Sequence, residues 1–413
     1  MKKIKYKIYT LGCKVNQYDS NVLSGMLTAA GFALVKNKAD LIIINTCCVT
    51  KIAARKSRQM MAKAKNSNPG AKIVMFGCFP VIYPDEVKKL PADLISGVGD
   101  FDGLIKSIFD LLGIKDSCDF RKKEFSVLTD KKRYTLKVQE GCEQYCAYCI
   151  IPFTRGKLKS RPMNEILEEV NQAIKHGYNE IVVTGTHLGL YDNDGKRLID
   201  LLKEIIKLKG LGRIRLSSIE INEVSDKLLK LIFTSRKICN HLHVSLQSGS
   251  DNILKLMNRP YDSLFFKERI LKIKKVIPDI AITTDIIVGF PGETSEDFMD
   301  SCNLAKELGF SRVHVFAFSA HERTPAARMK GAVKSDVIKE RSKKIRILGQ
   351  RLAVSFKESF QGKVLDVSVR KYKDGIYTGT TEQYFEITFD GAKIVDDKDK
   401  IAPIIGKIVK VRF

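Results

Sequence analysis

The sequence lacks any apolar run long enough to span a bilayer, and its opening MKKIKYKIYT lacks the apolar core of a secretory signal. These absences argue for a cytoplasmic protein with no membrane partner. They also argue against a disulfide framework, since cytosolic thiols are kept reduced. Paired zinc-site spacing is missing too: the one CxxC is followed by neither a second CxxC nor an HxxxH. Histidine is scarce, and none of the six has acidic neighbours at metal-ligand spacing, so no acid–base histidine is expected. His241 and His243 alternate on a strand, one expected to face the core and one a neighbour.

What is present is a thiol loop. Gly141-Cys142-Glu143-Gln144-Tyr145-Cys146-Ala147-Tyr148-Cys149 places three cysteines as CxxxCxxC directly after a strand-like run, Tyr134–Gln139. Three thiolates hold three irons of a 4Fe–4S cube, and no fourth cysteine follows in the loop. The remaining iron keeps an open position, which makes such a cluster a candidate catalytic site as well as an electron carrier.

A chain of 413 residues predicts two or three domains. The formal net charge is +24, spread along the whole length. That excess fits a polyanionic partner, nucleic acid first; the competing explanation is a general lysine bias.

From residue 1 to 115, strands (Lys7–Thr10, Leu41–Asn45, Lys72–Phe76) alternate with helical patterns (Asn16–Ala30, Ile52–Asn66). This is the rhythm of a small α/β domain with a parallel sheet, here expected to be flavodoxin-like. Cys13, Cys47 and Cys78 each follow a strand, so all three fall at the carboxyl edge of that sheet, where ligands bind. Their convergence supports a second three-thiolate cluster, with Cys48 as the alternative to Cys47. Cys118, Cys239 and Cys302 lack such placement and are expected to pack.

After a linker at 116–133, six strands are expected at Tyr134–Gln139, Glu180–Thr184, Arg213–Ser217, His241–Leu246, Ile280–Val288 and Arg312–Phe318. Helical patterns such as Glu165–His176, Arg197–Leu208 and Ser295–Leu308 lie between them. Six such repeats over 134–355 predict a partial (β/α)6 barrel with chemistry at the carboxyl ends of its strands. A basic helix, Ser335–Ser355, precedes a β-rich tail at 356–413 (Lys363–Arg370, Gly375–Thr380, Tyr384–Phe389, Lys407–Phe413). A small β-barrel there, showing Arg370, Lys371, Tyr372, Tyr377 and Tyr384, suits RNA, because rings stack bases and cations meet phosphates.

The loop resembles the CxxxCxxC of the radical S-adenosylmethionine (SAM) enzymes, and GCEQYCAYCIIPFTRGKLKSRP resembles their methylthiotransferase subgroup. TLGCKVNQYDS, INTCCVT, HVSLQSGS, MNRPY and ITTDIIVGFPGET extend the resemblance nearly end to end. It implies two [4Fe–4S] clusters, one on Cys142, Cys146 and Cys149 and one on Cys13, Cys47 and Cys78, the match to INTC selecting Cys47. It further implies SAM contacts from Tyr148 (adenine), Thr184 and Gly185 (amino group), Ser217 and Gln247 (ribose or carboxylate) and Gly289 (adenine side). Arg155 is the candidate for the SAM carboxylate, and the tail resembles a TRAM domain.

The implied reaction is methylthiolation, C–H to C–S–CH3, at ring carbon 2 of threonylcarbamoyl-adenosine at position 37 of tRNA, with two SAM consumed. LGCKVNQYDS, RIRLSSIE and MNRPY resemble that group most. Isopentenyl-adenosine in tRNA is the alternative, and a ribosomal-protein aspartate fits less well because a GCPKN-like string is absent. A non-catalytic iron–sulfur RNA-binding protein is the reading from another class. The sulfur donor and the electron donor have no signature in the chain.

Overall fold

The computed structural model describes residues 3–114, 124–128, 133–396 and 404–413. Most of the expected 116–133 linker, with Cys118, lies outside them.

The N-terminal sheet is parallel, built on β1 (Lys5–Thr10), β2 (Leu41–Thr46) and β3 (Lys72–Gly77) with two-residue strands at its edges. In space the order is Ala33–Leu34, β1, β2, β3, Leu94–Ile95. This is the doubly wound order of flavodoxin-like sheets, whose ligand crevice opens where the connections reverse direction, between β1 and β2. Strand β2, sequence LIIINT, is buried at every position, as a central parallel strand covered on both faces should be. Helix α1 (Lys14–Ala29) and the helix Phe101–Leu111 cover one face, with Leu23, Leu27, Ile105 and Phe109 at their core. Helix α2 (Lys51–Ser67) covers the other through Ala54, Met61 and Ala64.

The barrel strands are β4 (Tyr134–Lys137), β5 (Glu180–Thr184), β6 (Arg213–Leu216), β7 (His241–Val244), β8 (Ala281–Val288) and β9 (Arg312–Ala317). Every ladder pairing among them is parallel, in the runs β4-β5-β6 and β7-β8-β9. The runs meet through Ser218–Ile219, which extends the second sheet beside β7. Helix α3 (Ser335–Glu358) lies along β9, with Gly349 set against Val313. Residues two apart on a strand share a face, and His241 and His243 accordingly both point inward and meet the Thr283 hydroxyl at 3.2 and 2.8 Å. The expectation of one histidine per face is thereby corrected.

The tail forms an antiparallel sheet of β10 (Val364–Lys373), β11 (Ile376–Thr381), β12 (Glu386–Phe389) and β13 (Ile408–Arg412), ordered β12-β11-β10-β13. A register shift between Val369 and Lys371 curls it around Val367, Ile387, Phe389 and Val409. It docks on the amino-terminal ends of the barrel strands, opposite the cysteine end. Arg213 and Arg215 of β6 reach out of the barrel and donate to the carbonyls of Thr380 and Thr381 at 2.8 and 3.0 Å. Both guanidinium groups stay paired with buried Glu180 of β5.

Candidate active site between two cysteine loops

Cys13 stands at the start of α1, Cys47 just past β2 and Cys78 just past β3, so the strand ends do gather them. Gly12 has φ +98°, and a Cβ there would lie 2.9 Å from Cys47 Sγ, so the bare backbone lets that thiol sit against the Cys13 loop. Cys48 packs into the α2-side core, its Sγ donating to the Cys78 carbonyl at 3.4 Å. Asn16 ties two of the loops together, donating to the carbonyls of Leu11 and Thr46 at 2.9 Å each. Burial pushes the Cys78 thiol up to about 12, the Arg155 charge offsetting part of that rise. Metal-free thiolates are therefore disfavoured here, and cationic iron is the kind of partner that makes such thiols ionise.

The second loop lies at the carboxyl end of β4. Cys142 Sγ is 3.3 Å from His187 Nδ1, and His187 Nε2 is hydrogen-bonded to Glu223. Cys146 Sγ accepts from Arg259 Nη1 at 3.2 Å, and Arg259 is ion-paired with Glu220. Burial works against charge on His187, yet the hydrogen bonds to Cys142 and Glu223 raise its pKa to about 10. Burial pushes the Cys149 thiol up to about 12, and neighbouring Cys146 adds to the rise.

Between the loops runs a buried ion network. Arg155 donates to Asn16 Oδ1 at 2.7 Å and Asp19 Oδ2 at 2.9 Å, and is paired with Glu140. Lys137 completes it, at 2.6 Å from Asp19 and 2.8 Å from Glu140. Arg155 thus spends its guanidinium on two carboxylates at the joint of the two domains, which corrects the expectation that it faces a SAM carboxylate. Two cations and two anions close the network, so the buried charges are mutually compensated.

The expected SAM contacts divide. Tyr148 and Gln247 line one cavity of about 210 Å³ with Thr50, Asp285, Ile287 and Phe318, at the seam between the N-terminal sheet and the barrel. Thr184 ends β5 and is buried, Gly185 packs on Gln139, and Ser217 carries a buried hydroxyl without a hydrogen-bond partner. Gly289 is covered by the Ile338 side chain of α3. A second cavity, about 590 Å³, opens beside the loop and is lined by Gln144, His187, Glu220 and Glu223 among others. Sequence reasoning missed His187, Glu223, Arg259 and Asp19. The one available signal was position: His187 and Glu223 follow strand ends on the side where the cysteines lie.

Fold and loops together define a radical SAM enzyme. Residues 136–305 match the radical SAM superfamily, and residues 5–97 match the uncharacterized protein family UPF0004. Threonylcarbamoyladenosine tRNA methylthiotransferase MtaB of Bacillus subtilis (strain 168) is 36% identical, the match covering 98% of this chain and 92% of the relative. The tRNA-2-methylthio-N(6)-dimethylallyladenosine synthase of Acetivibrio thermocellus is 37% identical, covering 100% and 89%. The solved radical S-adenosylmethionine methyltransferase TsrM of Kitasatospora setae, with cobalamin and a [4Fe-4S] cluster bound, shares the fold. Its TM-score is 0.60 at 13% identity, over 92% of this chain and 81% of that one. The chain belongs to the radical SAM methylthiotransferase family, and its cofactors are SAM and [4Fe–4S] clusters.

The donor chemistry of each set, three cysteine thiols, is the kind those clusters take. Among the described residues no three acidic, histidine or cysteine side chains converge on a point that would hold a single metal ion. A cube asks for something else, because each thiolate takes its own iron and the three must surround a volume. No helix of the described residues is long and apolar enough to cross a membrane.

Proposed function

We propose that the protein methylthiolates ring carbon 2 of threonylcarbamoyl-adenosine at position 37 of tRNA. The observation that carries this reading is the facing of two three-cysteine loops across the Asp19–Arg155–Glu140 network. Cys142, Cys146 and Cys149 would hold one cube, and Cys13, Cys47 and Cys78 would hold the other. A cube held at Cys142, Cys146 and Cys149 would supply the electron for reductive cleavage of SAM, the chemistry that hydrogen abstraction from an unactivated C–H bond requires.

The chain's own residues do the positioning. Tyr148 and Gln247 offer a ring and an amide to the SAM adenosine in their shared cavity. Ser217 presents a buried hydroxyl awaiting a partner. The ion network sets the separation of the two loops, and the apolar wall of Ile287 and Phe318 keeps water from the reacting atoms. The +24 charge suits a polyanionic substrate met in the cytoplasm.

Methylthiolation of isopentenyl-adenosine is the second reading, favoured by the full-length match to the Acetivibrio thermocellus relative. Mass spectrometry of tRNA nucleosides from a deletion strain separates the two. Loss of the 2-methylthio form of threonylcarbamoyl-adenosine supports the first; loss of the isopentenyl form replaces it with the second. Reconstituted, reduced protein that cleaves no SAM would instead make the chain a non-catalytic iron–sulfur RNA binder.

A further inference from the structure

Two of the three thiols in the barrel loop lie against a side-chain nitrogen, of His187 or Arg259, and both of those side chains are held by one short segment. Glu220 precedes and Glu223 ends the 3-10 turn Ile221–Glu223 that follows β6. Glu223 Oε1 meets His187 Nε2, and the far side of that ring reaches Cys142 Sγ at 3.3 Å. Glu220 pairs with Arg259, whose Nη1 reaches Cys146 Sγ at 3.2 Å. The two residues are themselves linked, since the Glu220 backbone N–H donates to Glu223 Oε2 at 3.4 Å. A Cβ on Gly189 would lie 2.0 Å from Glu223 Oε2, so this glycine is what lets the carboxylate reach the imidazole.

Such partners on iron–sulfur ligands have a known physical effect. A hydrogen bond to a cluster sulfur stabilises negative charge there, and the reduced cube carries one more negative charge than the oxidised one. Donors on the thiolates therefore favour reduction. Partners that orient a ligand's neighbour carry much of a metal site's tuning. We propose that the Glu220–Glu223 segment is a positioning element that sets the reduction potential of the barrel cluster, by aiming His187 at Cys142 and Arg259 at Cys146. The inference rests on the reading that Cys142, Cys146 and Cys149 hold a cube. It concerns how readily that cube accepts its single electron, a property separate from which substrate is modified.

The test is a redox titration of the anaerobically reconstituted full-length protein, followed by electron paramagnetic resonance, with the auxiliary cluster as internal reference. His187→Ala and Arg259→Gln each shift the barrel-cluster equilibrium at least tenfold toward the oxidised form, about 59 mV for one electron. Glu220→Gln, Glu223→Gln and Gly189→Ala shift it the same way by less, and the two Gln changes together give less than their sum. Arg259→Lys, which keeps a charged donor, recovers part of the loss. The auxiliary-cluster signal stays in place throughout.

An unmoved potential in iron-replete His187→Ala and Arg259→Gln overturns the proposal. Where those variants lose iron, the isosteric Gln variants decide: an unmoved potential, or loss of the cube from both, overturns it equally. If the unaltered protein forms no SAM-responsive cluster at this loop, the assignment of the loop has failed, whatever the variants do.

Discussion

The ring of Tyr384, in the turn between β11 and β12, lies over the guanidinium of Arg215, with the ring centroid 4.6 Å from Cζ. Arg133 approaches the same ring at 5.3 Å, and His241 packs against it with ring centroids 4.8 Å apart. Tyr384 was expected to be an exposed stacking platform for RNA. It is instead a plug in the base of the barrel, held at φ +71°. Arg370 is likewise ion-paired, to Glu386. Tyr372 and Lys371 do remain exposed, while Tyr377 is half-buried between Tyr372 and Phe389.

Tyr384→Ala therefore acts on stability. It removes two cation–ring contacts, one to an arginine buried from water, and the loss comes to about 2 kcal/mol or more. A lowered urea midpoint with unchanged tRNA affinity at saturating fold is the expected result. Weakened tRNA binding without a stability change would restore the exposed-platform role.

Glu180 gives the same joint a pH dependence. Burial opposes its charge, but Arg213 and Arg215 overcome this and lower its pKa from 4.5 to about 2. A carboxyl depressed in the folded state adds stability that is complete above its unfolded value and lost as pH falls through the folded one. The contribution, on the order of 3 kcal/mol, is thus present above pH 4.5 and disappears toward pH 2. Urea midpoints measured down this range fall less steeply in Glu180→Gln than in the parent protein.

Cys47 and Cys48 separate cleanly. Cys47→Ala loses about four of about eight irons on reconstitution, while SAM cleavage by the barrel survives. Cys48→Ala keeps its iron and costs only about 1 kcal/mol of packing. Iron analysis with denaturant midpoints checks both; the reverse pattern moves the ligand by one residue.

Surface residues of the tail, not its removal, report on RNA. A chain ending after α3 would strand Arg213 and Arg215 without the Thr380 and Thr381 carbonyls, so truncation damages the barrel as well. Tyr372→Ala leaves the core alone and costs about 1–3 kcal/mol of tRNA affinity with little change in salt slope. Lys371→Ala instead flattens that slope by about one unit if the ammonium meets a phosphate. Filter binding across a salt series distinguishes ring from charge.

The strand positions were legible because parallel strands covered on both faces read as unbroken apolar runs: LIIINT appears where β2 lies, and the expected Ile280–Val288 is β8 from Ala281. The cysteine loops were legible through their place after strands. What was not legible is contact between residues far apart in sequence. Nothing local to Arg155 announces Asp19, 136 positions away, nor does anything near Arg259 announce Cys146, 113 positions away. Tyr384 misled because an aromatic residue among lysines looks exposed until a partner domain covers it.

Asp19 lies six residues after Cys13, and Arg155 six residues after Cys149. Each cysteine loop thus carries, on its own following helix, one half of a strut to the other loop. Neither half can be exchanged alone. Chimeras that graft the N-terminal domain of one relative onto the barrel of another should assemble only where both acid and guanidinium travel with their loops. A single residue inserted into either six-residue interval would turn its half about 100° around the helix. The matched intervals are a lock on compatible halves, and they make these two segments poor sites for insertion in engineered hybrids.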